Sequence, residues 1–312
     1  MNQNKVYDMI VVGGGPAAHS ASLYSRRKEL DTLMVAKEEG GQLLYSSEID
    51  NYLGISDVEA FDLVKKFRNH VDKYGVEKLD DEVLKVEKNE GLFELETEKN
   101  ATLRARTVVI ATGAKWRKLD VPGEEEFTGK GLSYCTTCDG PLYANADVAI
   151  IGGGNSAFEG IIDMLPIANR IVNVDIAPEP IADPVLQRHV ENSEHMGDLE
   201  FKGYYGHAIV EILGDDMVTG LKIREVETEE EKTVDVEGIF VEIGLIPNSQ
   251  LVGDLVEING AGEVVVDCES KTSVDGLFAA GDVTNVPEKQ IIIAAGEGAK
   301  AALGAYRYLI HQ

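Results

Sequence analysis

The chain has 312 residues, 44% hydrophobic and 27% charged, enough to bury a core without covalent staples. Its 29 Lys and Arg face 55 Asp and Glu, a formal net charge of -26. A field of that sign repels nucleic acid and anionic lipid, and the apolar runs are only strand-sized, so neither a nucleic acid nor a membrane is an expected partner. The opening MNQNKVYDMIVVGGGP has an apolar run too short for a signal peptide, so a cytoplasmic location is expected.

In chain order, YDMIVVGGGP predicts a short buried strand running into a glycine turn. AAHSASLYSRR then reads as a helix, DTLMVAK as a second strand, and TVVIATGA as another strand ending in Thr-Gly. YCTTCDG sets Cys135 and Cys138 three apart, followed at once by Asp139. ADVAIIGGGNSAFEGIIDML repeats the strand, glycine turn and helix of the opening, and RIVNVDIA is the strand after it. The acidic REVETEEEKTVDVEG reads as a solvated hairpin. GIFVEIG and GLFAAGD are late strands, and AAGEGAKAALGAYRYLI is a closing helix.

Strands alternating with helices imply parallel sheets with crossover helices. The duplication, GGGPAA from Gly13 and GGGNSA from Gly152, implies two nucleotide-binding domains. Gly- and Pro-bearing breaks near GAKWRKLDVPGEEE and EIGLIPNSQ make the second an insertion into the first. The expected fold class is α/β: two Rossmann-like (three-layer ββα type) domains, residues 1–114 with 245–312, and residues 115–244.

Within each unit, glycine and alanine have separate tasks. Gly13 permits the tight turn, Gly15 lets a pyrophosphate approach the backbone, and Ala18 keeps the helix close to the sheet. Gly152, Gly154 and Ala157 repeat that spacing. An acid about 20 residues past the glycines receives a free ribose 2′-hydroxyl, and after Gly152 this is Asp175. After Gly13 the equivalent is Ala36, with Glu38 a little further on. A CxxC near a βαβ unit reads as redox or metal chemistry.

Jointly, GGGPAA, GGQL, ATGA and GLFAAGDV resemble the FAD-binding pyridine nucleotide-disulfide oxidoreductases. CTTCDG, placed just before the second glycine motif, narrows the resemblance to the low-molecular-weight thioredoxin reductases. DIAPEPIADPVLQ, ATGAKWRKLDVPGE, CDGPLY and KQIIIAAGEGAKA are similar to the reductase module of the alkyl hydroperoxide reductase flavoprotein.

The resemblance implies an FAD-binding discontinuous domain and an NAD(P)-binding insert carrying the cysteines. For FAD it implies Gly13, Gly15, Pro16, Ala17, Ala18, Lys37, Glu38, Gly41, Gln42, Ala111, Thr112, Gly113, Gly281, Asp282, Lys289, Gln290 and Ile291. For the nicotinamide dinucleotide it implies Gly152, Gly154, Asn155, Ser156, Ala157, Asp175 and Gly244. NADPH-using members carry arginines after the second strand of the insert. Here DIAPEPIA places Ile176, Ala177 and Ile181 at those positions, so NADH is expected over NADPH.

Electrons would run from NADH through FAD to Cys135 and Cys138, then to the disulfide of a small thioredoxin- or glutaredoxin-like protein. Cys138 would face the flavin, Cys135 would attack the partner, and Asp139 would act as general acid–base. The related flavoprotein carries its own N-terminal thioredoxin-like folds; this chain starts at the FAD strand, so an external carrier is expected. A homodimer is implied, as is rotation of the insert on hinges near Gly113–Arg117 and Ile243–Asn248.

Competing readings keep the fold but draw electrons from NADPH, ferredoxin or another donor, serve a peroxide-detoxifying peroxiredoxin, or act as a flavin-bearing redox sensor without turnover. No metal site is expected, because a structural zinc needs four ligands and the remaining Cys268 is remote. Cys268 itself is expected as a half-buried residue at a strand end.

Overall fold

The computed structural model describes residues 5–45, 48–197 and 199–312. The chain divides into two compact units, Met1–Lys115 with Ile246–Gln312, and Trp116–Leu245. The outgoing strand Ala114–Trp116 pairs with the returning strand Leu245–Pro247 as a two-stranded ribbon.

In the discontinuous unit the central strand Val6–Val12 runs parallel to Thr32–Ala36 on one side and to Thr102–Ile110 on the other. Glu77–Asp80 extends the sheet beyond Thr32–Ala36, and Leu277–Ala279 adds parallel to Thr102–Ile110. Alternation along the central strand separates two cores. Met9 and Val11 point toward the helices Pro16–Arg27 and Ile291–Ile310, against Ala18, Ala21, Ala301 and Ala305. Ile10 and Val12 point to the opposite face, against Phe93, Leu95 and Val264.

Phe93 and Leu95 belong to Leu92–Thr97, which pairs antiparallel with both Val83–Asn89 and the first half of Thr102–Ile110. The third layer is therefore an antiparallel meander. Thr102–Ile110 serves both pairings, so it runs longer than TVVIATGA suggests. Small residues set the helix layer: Gly298 packs so closely that a Cβ there would stand 2.0 Å from the Ala17 carbonyl oxygen. The helix also begins three residues earlier than AAGEGAKAALGAYRYLI indicates, at Ile291.

The insert repeats the plan. Asp147–Ile151 lies between Arg170–Asp175 and Gly238–Val241, all parallel, with Leu132–Ser133 and Glu200–Tyr205 outermost. Val148 and Ile150 face the helix Asn155–Met164 through Ala157, Ile161 and Met164. Ala149 and Ile151 face Ile212, Leu221 and Ile223 of a three-stranded antiparallel sheet. The acidic stretch is the turn of that sheet, between Val218–Glu225 and Glu231–Asp235. Among the described residues no helix is long and apolar enough to cross a membrane.

Two glycines of the closing helix should respond with opposite signs. Gly298→Ala forces the helix off Ala17 and should cost about 1–3 kcal/mol. Gly296→Ala meets nothing within 4 Å and should add roughly 0.5–1 kcal/mol through helix propensity. Urea unfolding of both variants checks the pair; equal shifts would contradict the close packing.

Candidate functional site

The first glycine turn is shaped by backbone packing. Gly13 has φ +129, and a Cβ there would lie 2.1 Å from the Ala111 carbonyl oxygen, so no other residue fits without displacement. A Cβ on Gly15 would meet nothing within 4 Å, and the backbone is open to a ligand there. The helix behind it starts with Pro16, has no side-chain cap and no acid in its first turn. Its N–H groups and dipole are thus left for an anion, and the cradle fits a pyrophosphate. Ala17 and Ala18 are buried against the closing helix, and Gly41 sits across the cleft, its would-be Cβ 3.5 Å from Gly15 Cα.

Around this turn the structure gathers several of the sequence candidates. Gln42 Nε2 donates to the Asp282 carboxylate and to the Ala114 carbonyl, both at 3.0 Å. Burial pushes the Asp282 carboxyl up to about 6, against the opposing charge of Lys289. Gly281, at φ +77, donates its N–H to Glu297 at 2.8 Å. Gln290 stands just before the closing helix without a side-chain capping bond and accepts from Asn51 at 3.2 Å, and Ile291 packs beside Leu43 and Leu63. Thr112 Oγ1 donates to the Asn248 carbonyl, while Asn248 donates back to Thr112 and Gly113 accepts from its N–H.

Other candidates stand at the surface or pair with partners of their own. Lys37 is exposed and paired with Glu82 and Glu98. Lys289 pairs with Glu263 at 3.0 Å. Glu38 is exposed, and its contribution to the turn is its carbonyl, 2.1 Å from a Cβ placed on Gly14. The residue that organises this loop is its neighbour Glu39, which sequence reasoning passed over. His19, Lys78 and Arg68 all reach its carboxylate, and the His19 hydrogen bond leads in holding it at about 2.

The second turn has the same construction in the insert. Gly152 has φ +128, and its Cβ would stand 2.5 Å from the Glu242 carbonyl oxygen; Gly154 is open. Gly154 precedes Asn155–Met164 without a side-chain cap, so this helix too offers free N–H groups; Ser156 is exposed at its first turn and Ala157 is buried. Asp175 closes the neighbouring strand directly over Gly153, whose Cβ would be 2.9 Å from its carboxyl carbon. Its Oδ1 accepts from the Ala177 N–H at 2.6 Å. The following loop is pinned down: Ile181 and Ala182 donate to the Gly153 carbonyl, and Asn155 and Asp183 exchange two hydrogen bonds. Ile176 and Ile181 project outward, 67% and 76% exposed. Gly244 adopts φ +94 just past the strand Gly238–Val241.

Cys135 and Cys138 form a disulfide, with Cα atoms 5.3 Å apart. Cys135 is half-buried and caps the short helix Thr136–Asp139, its Sγ accepting from the Cys138 N–H at 3.1 Å. That N–H favours negative charge on the Cys135 sulfur once the bond is reduced. Cys138 is exposed. Asp139 accepts from Ser133 Oγ at 2.6 Å, and Ser133 Oγ in turn accepts from the Cys135 N–H at 3.1 Å. Burial raises the Asp139 carboxyl, with the Ser133 bond opposing, so it holds its proton more readily than a surface acid.

Two further residues complete this corner. Thr136, between the cysteines, donates both its N–H and its Oγ1 to Glu242 Oε1, at 3.0 and 3.2 Å. The signal for Glu242 was an acid inside the apolar GIFVEIG; Ser133 carried no sequence signal. Cys268 departs from expectation. It is exposed in a turn, because Asp267 accepts from the Glu269 and Lys271 N–H groups and bends the chain outward.

Comparison with known proteins agrees with this construction. Residues 7–298 match the family model for pyridine nucleotide-disulphide oxidoreductases. The chain is 44% identical over 304 residues to a Bacillus subtilis protein named NADH dehydrogenase, covering 97% of this chain and 59% of that protein. It is 42% identical to an alkyl hydroperoxide reductase subunit of Staphylococcus aureus, with the same two coverages. The chain thus spans 59% of the length of these curated relatives. Among solved structures, thioredoxin reductase from Streptococcus pyogenes superposes with a TM-score of 0.92 at 33% identity, covering 99% of this chain and 100% of that one. With two glycine-turn units and a disulfide on the insert, the chain belongs to the pyridine nucleotide-disulphide oxidoreductase family and has a fold of thioredoxin reductase type.

Proposed function

We propose that this protein carries electrons from NADH, through FAD and the Cys135–Cys138 pair, to the disulfide of a small thioredoxin- or glutaredoxin-like protein. The reading rests most on Asp175, set against the second glycine turn and followed by a loop whose sequence, IAPEPIA, holds no Lys or Arg. A carboxylate there accepts from a ribose 2′-hydroxyl and repels a 2′-phosphate. The name of the Bacillus subtilis relative, NADH dehydrogenase, is in keeping with it.

FAD, when bound, supplies two-electron chemistry between a nicotinamide and a disulfide. In this reading the discontinuous unit holds it: Gly13, Gly15, Pro16, Ala17 and Ala18 take the pyrophosphate, and Asp282, Gln42 and Gly281 meet the segment beyond. The insert, with Gly152, Gly154, Asn155, Ser156, Ala157, Asp175 and Gly244, takes the dinucleotide. Cys135, favoured as the thiolate by the Cys138 N–H, attacks the partner disulfide and forms a mixed disulfide. Cys138 then displaces the partner's reduced sulfur as a thiol, restoring the internal disulfide. Asp139 delivers and recovers the proton at these sulfurs. A cytoplasmic homodimer is part of the same proposal.

The proposed acceptor follows from likeness to the alkyl hydroperoxide reductase protein of Staphylococcus aureus. A carrier that feeds a peroxide-reducing protein is therefore a specific second reading of the partner. Adding such a carrier and peroxidase to the reductase, and following NADH consumption with peroxide, separates it from a general thioredoxin role.

NADH should exceed NADPH in kcat/KM by about 100-fold or more, as expected for losing charge-assisted phosphate contacts. Steady-state kinetics with both nucleotides check this, and parity would overturn the role of Asp175. Cys135→Ser should abolish carrier reduction while NADH still bleaches the flavin anaerobically; retained carrier turnover would exclude the dithiol path. Asp139→Asn should slow carrier turnover by about 10²-fold and flatten the fall in rate that accompanies loss of its proton as pH rises, since the raised carboxyl no longer supplies a proton. An unchanged pH–rate profile would remove Asp139 from proton transfer.

A further inference from the structure

Glu242 occupies an unusual place in the insert. Its backbone N–H donates to the Ile151 carbonyl at 2.9 Å, and its carbonyl oxygen is the atom against which Gly152 packs. Its carboxyl reaches the other way, to the N–H and hydroxyl of Thr136. Thr136 is 5% exposed and is wedged by the helix Asn155–Met164, where a Cβ on Gly160 would meet its side chain at 2.9 Å. One residue thus joins the dinucleotide turn to the disulfide through contacts that leave little slack.

We propose that Glu242 is a positioning residue of the dithiol, its carboxyl setting the reactivity of the Cys135 thiol through Thr136 and taking up a proton when the disulfide is reduced. This rests on the dithiol path above and not on the choice of nicotinamide. The Thr136 N–H is the first donor of the helix that begins between the cysteines. Where a carboxylate occupies that donor, its charge opposes a thiolate at Cys135; where it is protonated, the opposition falls away.

Burial sets the Glu242 carboxyl up to about 7, with Asp163 and Glu159 adding in the same direction and the Thr136 bonds opposing. The acids facing this corner are Glu159 and Asp163 on the neighbouring helix and Asp139 on the redox helix. Thr137 donates to Asp163, and Arg117 lies beside Gly244 further along the strand exit. Added electrons on the cysteines raise the Glu242 carboxyl further, and by reciprocity its protonation favours the reduced pair.

The test isolates Cys135 in a Cys138→Ser, Cys268→Ser background, where it is the remaining thiol of three. Its alkylation by iodoacetamide is followed against pH, with and without Glu242→Gln. The glutamine keeps an oxygen for Thr136 but carries no charge. Alkylation at pH 7 should be about three- to tenfold faster in the Glu242→Gln protein, with the inflection near neutrality lost. Superimposable profiles would overturn the proposal, because a merely structural contact survives in glutamine.

A second measurement needs no variant for its readout. Carbon-13 NMR of labelled glutamate, with Glu242→Gln used only for assignment, follows the carboxyl of the intact protein, oxidised and then reduced with dithiothreitol. Its titration should move upward on reduction; a stationary midpoint would overturn the coupling. Neither readout uses nicotinamide or partner, so a preference for NADPH would leave this inference standing.

Discussion

Two backbone contacts organise this protein. In each unit a carbonyl at the end of the strand beside the central one presses on the first glycine of the turn: Ala111 on Gly13, Glu242 on Gly152. Each contact is too short for a Cβ, so strand, turn and helix are locked at one spacing. That spacing directs an uncapped helix N-terminus into the crevice at the carboxyl ends of the parallel strands. The rest of each site is arranged around the anion-binding corner that results.

Acids then acquire different chemistry from their surroundings. Glu39 has three basic partners and remains a strong acid that ties its loop down. Asp282, Asp139 and Glu242 are desolvated and hold protons more firmly. The separation suits the proposed reaction, in which charge arrives at sulfur in pairs and protons must follow. In a chain of net charge -26, acids with raised proton affinity matter because few cations are available to compensate added negative charge.

Much of the framework could be read from pattern. The duplicated strand, glycine turn and helix, the parallel pairing, the closing helix and the acidic hairpin all follow from periodicity and turn chemistry, which act over a few residues. The antiparallel meanders were less legible, because Leu92–Thr97 is short and His207–Gly214 hardly alternates, although each pairs with strands adjacent in sequence. Among site residues, Gln42 and Asp282 lie 240 positions apart yet meet at 3.0 Å. The expectation for Cys268 failed because an Asx turn turned it outward.

The sequence by itself determined the two phosphate-type turns, the order of the units and the presence of a CxxC-Asp, since each needs only local residue types at fixed spacing. Only the tertiary structure decided which acids bind a proton more firmly and what holds the redox helix. Those properties depend on burial and on partners from other elements: Ser133 beneath Asp139, and Glu242 beneath Thr136, 106 residues further along the chain. Desolvation and hydrogen bonding belong to the folded arrangement, and no spacing rule reports them.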